Sequence, residues 1–97
     1  MHVITKKRIC EAIEKFSDSK SALDGWYKVM SKNHFDNYSG LKSTFKGVDK
    51  VGNLYVFNIG GNKLRLITSI HFNRQKIYVR YILTHKEYDN DHWKNSR

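Results

Sequence analysis

Proline is absent from the chain's 97 residues, and cysteine occurs once, as Cys10. Without proline, every reversal must be made by Gly, Asn, Asp or Ser. A lone cysteine excludes an internal disulfide and, with a strongly basic composition, fits a reducing compartment, so a cytoplasmic protein is expected. No run approaches the roughly 20 apolar residues of a membrane helix. Met1-His2-Val3-Ile4 precedes Lys6-Lys7-Arg8, the reverse of a secretory signal's order; neither export nor a membrane is expected. Repeats and low-complexity segments are also lacking. The most informative absence is acid: between Asp49 and Glu87 there is none, while Lys50, Lys63, Arg65, Arg74, Lys76, Arg80 and Lys86 all fall there.

The length allows one domain, 1–97, and 39% hydrophobic with 13% aromatic residues is a globular composition. A formal net charge of +9 favours polyanionic partners: RNA, DNA, an anionic surface or an acidic protein. Natural surfaces usually intersperse the two signs, so the acid-free stretch points to a basic face with a purpose.

The first half has helical periodicity. Thr5 is placed to cap a helix carrying Ile9, Ala12, Ile13 and Phe16 at three-to-four spacing. Cys10 falls beside Ile9 and Ile13, which predicts a buried, inert thiol. A second helix after Ser17-Asp18-Ser19-Lys20 carries Ala22, Leu23, Trp26, Val29 and Met30, and Ser39 opens a short third turn through Leu41 and Phe45. From Leu54 the period drops to two. Residues 54–59, Gly60-Gly61, and the run to Phe72 form a hairpin signal, because Gly-Gly supplies the positive φ angles of a tight turn. A reversal at Asn73-Arg74-Gln75 leads into a third strand through His85, and a small helix is expected in residues 87–93.

The expected fold is α+β: two N-terminal helices packed on one face of a small antiparallel sheet, a three-stranded meander. Strict alternation would point Ile77, Val79, Tyr81 and Leu83 toward the core and Tyr78, Arg80, Ile82 and Thr84 away from it. A two-residue turn at Arg74-Gln75 would set Arg65 across from Thr84 and Ser69 across from Arg80. Asn58 would then stand beside Lys63 on a basic platform opposite the core.

Such a platform suits RNA. Arg65 and Arg80 offer guanidinium forks to phosphates, Lys63 and Lys86 add point charges, and Tyr78 offers a ring on which a base can stack. Each has a plainer reading: an ion pair for Arg80, cross-strand packing for Tyr78, an ordinary surface position for His71. At the strand's end stand His85, Lys86 and Tyr88. RNA cleavage through its own 2′-OH needs no protein nucleophile, only a base, an acid and positive charge on the phosphorane. Histidine, lysine and arginine supply these without a metal. The plainer reading makes His85 a strand end and Tyr88 a core plug. His85, Glu87, Asp89, Asp91 and His92 match no metal-ligand spacing, so no metal and no cofactor are expected. Three rivals remain: a non-catalytic RNA- or ribosome-binding module, which has no need of His85; a DNA-binding regulator, which needs a basic recognition helix that neither N-terminal helix offers cleanly; and a purely structural partner protein, which would be inert on expression.

The motifs Tyr55–Ile67, "YVFNIGGNKLRLI", and Leu83–Asp89, "LTHKEYD", with the start "MHVITKKRI", resemble the HigB family of bacterial toxins within the RelE-like superfamily. The resemblance spans nearly the whole chain. It implies an mRNA interferase of a type II toxin–antitoxin pair, cutting messenger RNA in the ribosomal A site and inhibiting translation and growth. It implies a RelE-like sandwich and a HigA-type helix-turn-helix antitoxin. The motif residues carried over are Arg65, His85, Lys86, Tyr88 and Asp89, with Arg80 added by the face argument.

Overall fold

A computed structural model describes residues 1–61 and 63–90. The chain opens with strand β1 (His2–Val3), followed by helices α1 (Lys6–Lys15) and α2 (Lys20–Lys32), joined by a single 3₁₀ turn at Ser17–Ser19. Helix α3 (Tyr38–Thr44) leads to strands β2 (Asp49–Val51), β3 (Leu54–Ile59), β4 (Leu64–His71) and β5 (Lys76–Thr84), and helix α4 (His85–Asp89) closes the described chain. The protein is α+β, with a five-stranded sheet in the order β1-β5-β4-β3-β2. Among the described residues the β1–β5 pair is parallel and the other three pairs are antiparallel.

The expected three-stranded meander is thus the centre of a wider sheet. Its hairpin forms as anticipated: Gly60 and Gly61 both take φ near +60° between β3 and β4. The β4–β5 reversal is longer than two residues. A 3₁₀ turn at Phe72–Arg74 is followed by Gln75 in the left-handed region at φ 55°. The Gln75 side chain donates to the carbonyls of Phe35 and Phe72 and accepts from the Phe35 amide, which ties the α2–α3 loop to this turn.

The main core gathers Ile9, Ala12, Leu23, Trp26, Met30, Phe35 and Leu41 with Phe57, Ile59, Leu64, Leu66, Ile77 and Val79 of the sheet. The Trp26 and Phe57 rings meet edge-on at 5.5 Å, and Phe45 meets Phe57 similarly at 5.2 Å. Cys10 departs from expectation: it is exposed, because the buried stripe of α1 runs through Ile9 and Ala12 and turns residue 10 outward. Val29 likewise lies on the open side of α2.

Strand β5 breaks the alternation. Leu64–Ile67 pair with Thr84–Tyr81, but Thr68–His71 pair with Val79–Lys76, so Arg80 is an extra residue in a β-bulge. Beyond it the faces exchange. Ile82 packs toward the main core, whereas Tyr81 and Leu83 join Leu54, Val56, Ile67, Val51 and Tyr88 in a second, smaller cluster. The expected register is corrected accordingly: Arg65 lies across from Leu83, not Thr84, and Ser69 lies across from Tyr78, not Arg80. The face opposite the main core is therefore basic along its rows but apolar at its centre.

The free edge of β5 is closed by the first eight residues. The Ile4 amide donates to the Ile77 carbonyl at 3.0 Å, the Val79 amide to the Thr5 hydroxyl at 2.5 Å, and Arg8 to the Arg80 carbonyl at 3.0 Å. Thr5 stands at the N-cap of α1, yet its hydroxyl serves the sheet, not the helix.

Candidate active site and RNA face

The site is built where β5 turns into α4. Thr84 ends the strand in extended conformation and caps the helix. Its hydroxyl accepts from the Glu87 amide at 3.2 Å, and the Glu87 carboxylate accepts from the Thr84 amide at 2.9 Å, a complete capping box. The Thr84 amide, helped by the Thr84 hydroxyl and Lys15, holds the Glu87 carboxyl below its ordinary pKa, against a smaller opposing push from burial. The Thr-x-x-Glu pattern therefore starts the helix at His85, two residues earlier than expected; Asp91, His92 and Trp93 lie outside the described residues.

That earlier start makes His85 the first helical residue and puts Asp89 one turn above it. The imidazole Nδ1 is 3.2 Å from Asp89 Oδ2, and both side chains are solvent-accessible. A carboxylate at that distance favours a proton on Nδ1, and in the neutral ring so arranged Nε2 is the nitrogen with the lone pair. Lys86 is exposed beside it. Tyr88 leans from α4 onto the sheet, half-buried against the second apolar cluster, and the Arg65 guanidinium sits over its ring at 5.5 Å. Arg65 also donates to its neighbour's carbonyl, that of Leu64, at 3.4 Å. Asn58 stands directly opposite Arg65 on β3.

Arg65, His85, Lys86, Tyr88 and Asp89 are thus brought to one end of the sheet. Lys63 precedes β4 in the turn and borders a different depression, with Lys15, Phe16, Asp18 and Thr84. Arg80 and Tyr78 stand further along β5, beyond the tier in which Ile67 pairs with Tyr81. There they line a hollow with Arg8, Ser69 and His71. Among the described residues, no group of three or more His, Cys, Asp and Glu side chains is placed to hold a metal ion. Nor is any helix among them long and apolar enough to cross a membrane.

The His85–Asp89 pairing was available in the sequence as an i, i+4 spacing, once the capping box had set the helix start. Nothing in the local pattern of α1 marked Arg8, which reaches the sheet only through the tertiary fold.

Residues 19–91 match the HigB toxin family, the RelE-like toxic component of a toxin–antitoxin system. The chain belongs to the HigB toxin family. Over 92 residues it is 40% identical to the mRNA interferase toxin HigB of Escherichia coli (strain K12), covering 92% of this chain and 88% of that protein. The mRNA interferase HigB of Shigella flexneri matches to the same extent. The mRNA interferase HigB of Escherichia coli O6:H1 (strain CFT073) is 32% identical over 92% of this chain and 89% of its own length. As a toxic component of a toxin–antitoxin system, a HigB-family chain has an antitoxin as its partner. The β5–α4 junction lies entirely within the matched segment.

Proposed function

We propose that this chain is an mRNA interferase, an endoribonuclease that cuts translated messenger RNA through the RNA's own 2′-OH. The observation that carries the reading is the junction of β5 and α4. There an imidazole with a carboxylate partner, a lysine and a ring-seated guanidinium converge at one end of a basic sheet face. The names of the E. coli and Shigella relatives support the same reaction class.

In the proposed chemistry, His85 Nε2 or the adjacent Lys86 amine takes the 2′ proton. The 2′ oxygen bonds to the neighbouring phosphorus, the bond from phosphorus to the 5′ oxygen breaks, and a conjugate acid at the site returns a proton to that leaving oxygen. The products are a 2′,3′-cyclic phosphate and a 5′-hydroxyl end. Arg65 stabilises the charge on the phosphorane, and Tyr88 fixes the guanidinium's place. Every role falls to a protein side chain or the RNA itself, with no metal or cofactor assigned a part.

The wider reading is cytoplasmic action on messenger RNA in the ribosomal A site, neutralised by a HigA-type helix-turn-helix antitoxin. It takes the two N-terminal helices as the layer that covers one sheet face in the RelE-like manner. The residues of α1 and α2 in the main core support that layer.

The test is end-mapping on one messenger RNA, offered naked and then programmed on ribosomes. Cuts within codons only on ribosomes, lost in His85→Ala, are expected. Cuts on naked RNA would keep the nuclease and remove the ribosome from the mechanism. Binding without any cut would replace it with a non-catalytic RNA- or ribosome-binding module.

A further inference from the structure

The Arg80 bulge builds a hollow that the cleavage chemistry does not use. It encloses about 370 Å³ and is lined by Thr5, Arg8, Ser69, His71, Tyr78 and Arg80, with Val79 beneath. That volume lies within the range of small-ligand sites. Arg8 is held over it from α1 by its bond to the Arg80 carbonyl. That bond falls at the bulge residue, which the sheet register leaves without a partner. Two guanidinium groups therefore border one hollow, and no carboxylate lines it among the described residues. His71 and Tyr78 meet edge-to-face at 5.5 Å and 86°, an arrangement that leaves ring surface toward solvent on an exposed histidine and a half-buried tyrosine.

Fixed cations beside aromatic rings are the combination that binds single-stranded nucleic acid: guanidinium on phosphate, ring on base. Ser69 and His71 alternate along β4 in the same row as Arg65, so the hollow and the β5–α4 junction share one sheet face. At about 3.4 Å per residue, Ser69 stands roughly 14 Å along the strand from Arg65. That is too far for one phosphate to touch both, and short enough for one continuous strand of RNA. We infer that this hollow is a second RNA subsite, which holds a phosphate between Arg8 and Arg80 and a base against His71 and Tyr78, outside the nucleotide being cut. The inference rests on the ribonuclease reading for its substrate. It reassigns Arg80 and Tyr78 from chemistry to grip and adds Arg8, Ser69 and His71. An acidic segment of a protein partner would use the cations but has no need of the paired rings.

The experiment measures binding of a short single-stranded RNA, 2′-O-methylated throughout so that it cannot be cut, to the full chain and to His71→Ala and Arg8→Gln. Cleavage of ribosome-programmed messenger RNA is followed in parallel. Each variant should bind at least about fivefold more weakly, the lower end of what loss of one base stack costs. Arg8→Gln should also flatten the dependence of log affinity on log salt by about 0.7, the share of one single-strand phosphate, while His71→Ala leaves the slope unchanged. In cleavage, KM should rise with kcat within about twofold, in contrast to Arg65→Ala. Unchanged affinity and slope in both variants, with melting curves like wild type, would overturn the subsite. Loss of antitoxin binding with RNA binding intact would overturn it too, in favour of a protein-docking surface. Should the wild-type chain cut no RNA at all, the nuclease reading fails by itself; the oligonucleotide arm still decides whether the hollow grips RNA.

Discussion

Arg65 of β4 and Tyr88 of α4 lie 23 positions apart, yet the guanidinium carbon sits 5.5 Å from the centre of the tyrosine ring. The contact fixes a cation where the sheet meets the helix that carries His85 and Lys86. A guanidinium seated on a ring loses much of its rotamer freedom before any phosphate arrives. An arrangement set before substrate arrives need not reorganise as charge develops, which is the condition for strong electrostatic stabilisation.

Arg65→Ala should reduce the single-turnover cleavage rate by about 10²-fold or more, the usual effect of removing one donor from a developing oxyanion. Arg65→Lys should recover little of it, because a lysine lacks the planar fork and stacks poorly. Single-turnover assays on ribosome-programmed RNA read both. A rate for Arg65→Lys close to wild type would reduce the residue's role to simple charge.

The His85–Asp89 pair makes a separable prediction. Asp89→Asn removes the carboxylate that selects the Nδ1–H form of the imidazole, so the cleavage rate should fall about 10-fold. His85→Ala should fall further, within the 10²–10⁴-fold range of a lost general acid–base group. Both side chains are largely exposed, so stability should change by less than about 1 kcal/mol in either variant. Equal activity of Asp89→Asn and wild type, with thermal melts superimposed, would remove Asp89 from the site.

What was legible in the sequence had local causes. The Gly60-Gly61 turn, the β3–β4 hairpin and the helical stripe of Leu23, Trp26 and Met30 follow from φ preferences and periodicity. Strands β1 and β2 were missed because two- and three-residue strands have too little alternation to register; β1 exists because β5 offers it an open edge. The bulge was missed for a related reason. Tyr81-Ile82-Leu83 is apolar at both parities, so a strand reading can begin on either face, and only the partner strand decides. Arg65, His85 and Tyr88, grouped by chemistry in the sequence, lie at one end of the sheet, and their separation from Arg80 is a property of register. Lys63 was placed in a strand that starts one residue later.

If Arg80 is an insertion into an otherwise regular ladder, it can be removed. Deleting Arg80 joins Val79, opposite Thr68, directly to Tyr81, opposite Ile67, and preserves which face every other side chain meets. The Arg80 deletion should fold and melt cooperatively, while losing the hollow beside it. Deleting Val79 instead would bring Arg80 to the core-facing place opposite fully buried Thr68, with a guanidinium where no charge can be hydrated. That chain should fail to fold. Circular dichroism melts of the two deletions decide the matter, and a folded Val79 deletion or an unfolded Arg80 deletion would contradict the register.

The capping box predicts how acid acts on the site. The Glu87 carboxyl is held below its ordinary pKa chiefly by the Thr84 amide. A carboxyl depressed in the folded state favours folding above its unfolded pKa, and that contribution fades as pH falls through the ordinary glutamate range to the lower folded value. Protonation weakens the carboxylate's hold on the Thr84 amide, so α4 should fray before the core responds. Amide exchange in residues 86–90 should accelerate in that acid window while Leu66 and Ile67 stay protected. Glu87→Gln should abolish the pH dependence of that fraying, because a glutamine accepts from the Thr84 amide without titrating. Thr84→Val, which removes the reciprocal hydroxyl, should cost about 1 kcal/mol at neutral pH and lower cleavage by loosening His85, Lys86 and Tyr88 together. Glu87→Gln that frays with the same pH profile as wild type would place the sensitivity in another carboxyl, with Asp89 the next to test.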